Sequence, residues 1–114
     1  MNYLLALSST LLCLLATEYQ YSDLWTQALQ GAQRTPAYVE RDVYRHPRKT
    51  LEFFNVEPTS TVVEIWPGGG WYTEILAPLL KDNGKFYAAH FNDDSDIAYF
   101  KKSRASYNKK LASN

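Results

Sequence analysis

The chain has 114 residues, 46% hydrophobic and 21% charged, and its 12 Lys and Arg are balanced by 12 Asp and Glu. That length suits one small domain, and that composition belongs to folded rather than disordered polypeptide. Zero net charge excludes whole-protein attraction to nucleic acid or to anionic membrane, while leaving room for a local basic patch.

Residues 1–17 carry no charged side chain, and Tyr3 to Ala16 is apolar and leucine-rich. This run is shorter than the roughly 20 residues of a membrane span. It matches the apolar core of a secretory signal, which takes about 7–15 residues. No Lys or Arg precedes it, and Leu14 stands where cleavage after Ala16 favours a small residue. The expectation is a signal peptide over 1–16, with export to the periplasm or beyond and membrane contact through this segment alone. The other reading is a buried or membrane-resting helix. Leu12 ahead of Cys13 does not suit lipoprotein processing. With Cys13 in the leader, the rest of the chain has no thiol for disulfides, catalysis or zinc.

Ser22-Asp23 predicts the cap of a helix whose apolar positions are Leu24, Trp25, Ala28, Leu29 and Ala32, with Gly31 near its end. Arg34-Thr35-Pro36 reads as a break. Pro47 divides the next segment and starts a helix with Leu51 and Phe54 on one face. Residues 17–58 thus form a helical N-terminal extension to a domain over 59–114. Thr61 to Trp66 is β-branched and aromatic and predicts a buried strand. Pro67 to Gly70 is a loop, and a helix follows with Trp71, Tyr72, Ile75, Leu76, Leu79 and Leu80 at helical spacing. Pro78 lacks a backbone donor and predicts a bend or early stop. After the Asp82-Asn83-Gly84 turn, Lys85 to Phe91 reads as a second strand. Ser95-Asp96 caps a final helix with Ile97, Phe100, Tyr107 and Leu111 on its apolar face. Lys101, Lys102, Arg104, Lys109 and Lys110 lie on a solvated basic face. The order βαβα implies a parallel pair in an α/β layer.

Chemistry concentrates in V-V-E-I-W-P-G-G-G-W-Y-T-E-I-L-A-P, Val62 to Pro78. Glycines between strand and helix permit positive φ and close approach of a ligand to the backbone, with the helix N-terminus offering free N–H groups. The phosphate loop of NTPases requires Gly-Lys-Ser/Thr, and Trp71-Tyr72-Thr73 stands there instead. The dinucleotide fingerprint requires a third spaced glycine, where Thr73 is found. No His, Cys, Asp and Glu set has metal-ligand spacing, so no metal site is expected.

Glu64, four positions before Gly68, makes the string similar to motif I of class I S-adenosylmethionine-dependent methyltransferases. Together with Tyr44 to Phe54 (Y-R-H-P-R-K-T-L-E-F-F) and Ser103 to Ala112 (S-R-A-S-Y-N-K-K-L-A), the string W-P-G-G-G-W-Y-T-E-I-L-A-P resembles a family of exported bacterial proteins assigned as methyltransferases. The likeness spans roughly residues 38–112. It implies a Rossmann-like fold, of which this chain holds the N-terminal βαβα portion, and S-adenosylmethionine as cofactor. It also implies that Glu64 orients the loop or contacts the methionine amino group through water, and that Gly68, Gly69 and Gly70 lie against the methionine and ribose. Trp71 borders the pocket, and His90 occupies the position of the usual ribose-binding acid, with Asp93 or Asp94 as substitutes. Trp66 replaces the motif's first glycine, and with Trp71 it is expected to wall the pocket against water.

The full fold of such enzymes takes about 200 residues. The segments that complete the adenine pocket and hold the methyl acceptor are therefore expected to be missing here, and the chain is expected not to catalyse alone. The alternatives are a non-catalytic α/β remnant that binds a nucleotide-like ligand or a protein partner, and a nicotinamide-dependent Rossmann protein.

Overall fold

The computed structural model describes residues 3–113, with backbone alone for 3–9, so the expected leader's Met1 and Asn2 lie outside the described residues. The elements are α1 (Tyr3–Gln30), α2 (Pro36–Val39), α3 (Asp42–Arg45), α4 (Pro47–Phe53), β1 (Thr61–Ile65), α5 (Thr73–Leu80), β2 (Lys85–Ala89) and α6 (Ala98–Ala112). This is a mixed α/β chain with one small sheet. β1 and β2 pair in parallel, from Thr61 opposite Lys85 to Ile65 opposite Ala89, and α5 makes the crossover. No helix among the described residues is long and apolar enough to cross a membrane.

α1 does not start at Ser22, as the capping pattern predicts, but runs unbroken through it. The Ser22 carbonyl accepts the Thr26 hydroxyl at 3.0 Å, and Asp23 accepts the Gln27 amide at 3.0 Å. Both are contacts of the helix interior, four residues apart, so these polar residues serve the helix body rather than its start. Side chains from Thr10 to Gln20 are exposed, and the apolar face engages only from Leu24 onward. There Trp25 and Ala28 join Leu51 of α4 and Ile75, Leu76, Leu79 and Leu80 of α5 in one core, with Val62 and Phe86 packed from the sheet.

α5 is the central element, and Pro78 does not stop it. Proline leaves the carbonyl four residues earlier without its helical donor. That carbonyl, of Glu74, accepts the Gln33 side-chain amide at 3.2 Å instead. Phe54, expected to share the apolar face of Leu51, is exposed: α4 ends at Phe53 and Asn55 turns the chain at φ 54°. On α6 only Tyr107 of the expected face is buried. Ile97 and Leu111 face solvent, and Phe100 stacks on Phe91 at 3.9 Å between ring centres.

The polar centre of the fold is Glu74, whose side chain is 2% exposed. It accepts the Thr35 N–H at 2.9 Å and the Thr35 hydroxyl at 2.5 Å, and it pairs with Lys110 of α6. Arg34, also 2% exposed, lies 3.7 Å away and donates to Asp42 at 2.9 Å. Lys110 is therefore not part of a solvated face. Burial pushes the Glu74 carboxyl up, but its bonds to Lys110 and Thr35 outweigh that and hold it below its ordinary 4.5. A carboxyl depressed in the folded state stabilises the fold at pH values above the unfolded pKa. That contribution is lost as pH falls through the folded value. Glu74→Ala removes the buried carboxylate that Lys110 and Thr35 share, while Arg34 keeps Asp42, and is expected to cost about 3 kcal/mol in urea unfolding at pH 7. The difference from wild type should shrink as pH drops below about 4.5. A difference that does not change with pH would show that the carboxylate is not the centre of the network.

Candidate functional site

The glycine loop leaves the end of β1 in a tight alternation. Trp66, Gly68 and Gly70 have φ of 52°, 57° and 83°. The Trp66 N–H still donates to the Ala89 carbonyl at 2.8 Å, so strand pairing continues one residue past β1 before the chain turns. Trp66 thus adopts the left-handed conformation that glycine accepts without penalty. The turn closes with the Gly70 N–H donating to the Pro67 carbonyl at 2.8 Å.

The three glycines serve different ends. A Cβ on Gly69 would overlap the Tyr38 hydroxyl, which donates to the Gly69 carbonyl at 3.1 Å. A Cβ on Gly70 would sit 3.2 Å from both Tyr107 and Lys110 of α6. Gly68 alone faces open space. Two glycines therefore let the protein pack on its own loop, and at the third a side chain would meet nothing.

Beneath the loop, Thr73 donates to Glu64 at 2.6 Å, and its oxygen lies 3.1 Å from the Tyr107 hydroxyl. With its single proton given to Glu64, Thr73 accepts from Tyr107. This chain ties β1, α5 and α6 together. Burial raises the Glu64 carboxyl above its ordinary range, and the Thr73 bond draws it only partly back. Burial likewise raises Tyr107, Thr73 draws it back and the Glu64 charge raises it further, so the phenol keeps its proton. Glu64 thus joins β1 to the first residue of α5 through Thr73.

His90 is packed against Tyr107 with ring centres 5.2 Å apart; its Nδ1 accepts the Phe91 N–H at 2.7 Å, and its buried Nε2 has no partner. Asp93 pairs with Arg104, and Asp94 is exposed on the following turn. Trp71 is 5% exposed and belongs to the core: its Nε1–H donates to the Tyr38 carbonyl at 2.9 Å, and the Arg45 guanidinium lies 4.2 Å from its ring. Trp66 is 66% exposed, touching Phe91 at 5.4 Å, so it flanks the loop without sealing it.

Gly68 and Gly69 border a cleft of about 260 Å³ whose far wall is α6, through Tyr99, Lys102, Ser103 and Ser106. Reading α6 by its basic residues alone misses this wall. The signal was available: positions 99, 102, 103 and 106 follow helical spacing and place one aromatic ring, one ammonium and two hydroxyls on a single face. Among the described residues, no group of three or more His, Cys, Asp and Glu side chains could hold a metal ion. Comparison with models of protein families, with curated proteins and with solved structures finds no match.

Alanine substitutions separate the glycine roles. Gly68→Ala meets only the left-handed backbone penalty, expected to be about 1 kcal/mol in urea unfolding. Gly70→Ala adds the contact with α6 and is expected to cost at least about twice as much. Equal losses would mean that α6 does not pack on the loop.

Proposed function

We propose that this chain is the cofactor-binding portion of a class I S-adenosylmethionine-dependent methyltransferase and does not transfer methyl groups by itself. The observation that carries this reading is Gly68: left-handed backbone after a parallel strand, half-buried and with nothing within 4 Å of where a side chain would start, ahead of a helix N-terminus. In open α/β sheets, ligands bind at the carboxyl ends of the strands. A loop of this kind lets a nucleoside-bearing ligand lie on the main chain. The cofactor, when bound, supplies an electrophilic methyl group on a sulfonium. The residues of this chain bind and orient: Gly68 bears on the ligand, Glu64 fixes the loop through Thr73, and Tyr38 and α6 brace Gly69 and Gly70. Gly68 fits the cofactor. His90, turned under Tyr107, does not stand in for a ribose-binding acid, and Asp93 is held by Arg104. No residue here marks a methyl acceptor. Residues 1–16 support export to the periplasm, since they are uncharged and leucine-rich.

The second reading, a non-catalytic α/β remnant, draws support from that same His90 and Asp93 arrangement. Titration calorimetry of the purified chain decides. S-adenosylmethionine and S-adenosylhomocysteine are expected to bind and NAD is not, and labelled cofactor should transfer no methyl group to any acceptor offered. No binding favours the remnant, and methyl transfer by the chain alone would refute the claim that it is incomplete.

A further inference from the structure

The cleft beside Gly68 is small. At about 260 Å³ it lies below the roughly 300–1,000 Å³ of sites that enclose a whole drug-sized ligand, so it fits one part of a larger molecule. Its lining is selective. Lys102 supplies an ammonium, Ser103 and Ser106 supply hydroxyls, and Gly68 and Gly69 supply main chain. Three other cations of α6 are engaged, Lys101 with Asp96, Arg104 with Asp93 and Lys110 with Glu74, while Lys109 is in no described ion pair and does not line the cleft. None of the described ion pairs includes Lys102. An ammonium with no carboxylate partner, beside two hydroxyls and a glycine backbone, matches a carboxylate. The aromatic side of the cleft is different in kind. Tyr99 lines it, and Phe91, stacked on Phe100 and touching Trp66, continues an apolar ring surface along the strand ends. Flat, apolar rings of this sort suit a nucleobase.

We infer that Lys102 of α6 is a specificity residue for the amino-acid arm of the ligand: the cleft takes the arm's carboxylate, and the base lies outward toward the Trp66, Phe91 and Tyr99 rings. The inference rests on the proposed cofactor and adds to it a residue that the strand-end position of His90 does not provide. Discrimination comes from charge. A ligand with the carboxylate gains a charge-assisted bond to Lys102, and one without it gains nothing there.

The test is calorimetry with two probes, S-adenosylhomocysteine, which carries the arm, and 5′-methylthioadenosine, which lacks its carboxylate. Three proteins are compared: wild type, Lys102→Met and Lys102→Arg. Lys102 is exposed, so both variants should keep the wild-type thermal transition. The expected result is that Lys102→Met loses about tenfold in affinity for S-adenosylhomocysteine. Lys102→Arg should stay within about threefold of wild type, and methylthioadenosine should bind all three proteins alike. The inference is overturned if Lys102→Met weakens both probes equally, or neither, or if wild type does not distinguish them. If wild type binds neither probe, the cofactor reading itself fails, and the role of Lys102 fails with it.

Discussion

One buried carboxylate governs how this chain is assembled. Glu74 sits in the first turn of α5, inside the core, and its oxygens are shared by the Thr35 backbone, the Thr35 hydroxyl and Lys110. Those partners come from the segment after α1 and from the end of α6, far apart in sequence. Burying such a charge costs several kcal/mol, roughly what its partners return. What the arrangement supplies is position. It sets the depth at which α6 lies on α5, and so brings Tyr107 and the Lys110 stem against Gly70. The Glu64–Thr73–Tyr107 chain then fixes the same helix from the sheet side. The geometry of the glycine loop is therefore a consequence of two polar chains beneath it.

Seen this way, the run of glycines is not a single feature. Gly70 exists for α6 and Gly69 for Tyr38, and both make the loop rigid. Gly68 is left as the one glycine of the three where an added side chain would meet nothing, at a point where the backbone is already committed to positive φ. A ligand that docks there meets a surface braced from both flanks, so little ordering is required on binding. Trp66 fits the same logic. It takes a conformation that costs about 1–2 kcal/mol for a residue with a side chain, and the surrounding pairing to Ala89 holds it there.

Much of the fold was legible in the sequence, and most of the failures share a cause. β1, the loop and the crossover order follow from β-branched runs, glycines and helical spacing, because those signals are local. The helix passes Pro78 by two residues because the bond it lacks is satisfied from Gln33, more than 40 positions away. The basic side of α6 misled because charge alone does not distinguish Lys110, drawn inward by Glu74, from Lys102, left at the cleft. Ser22-Asp23 carries a genuine capping signal, overridden because the leucine-rich residues before it are themselves strong helix formers. Trp71 was ambiguous by nature: its place beside the glycines suggests a ligand, and only the Tyr38 carbonyl and the Arg45 guanidinium reveal it as core. Apart from Ser22-Asp23, the deciding partner is distant in sequence.

The sheet itself sets what the site can do. Parallel strands are ordinarily covered on both faces. Here α5 covers the side bearing Val62 and Phe86, while Val63, Ile65 and Tyr87 on the opposite side are all more than half exposed. The strand ends inherit that asymmetry. On the α5 and α6 side the loop is walled by Tyr99, Lys102 and the serines, and Trp66 stands wet at the rim. Charged or polarised ligand groups interact more strongly with protein where water is excluded. A layer packed over Val63, Ile65 and Tyr87 would cover the sheet's bare face and, by continuity along β1, shelter Trp66 as well. Covering that face and drying the loop are thus one physical requirement.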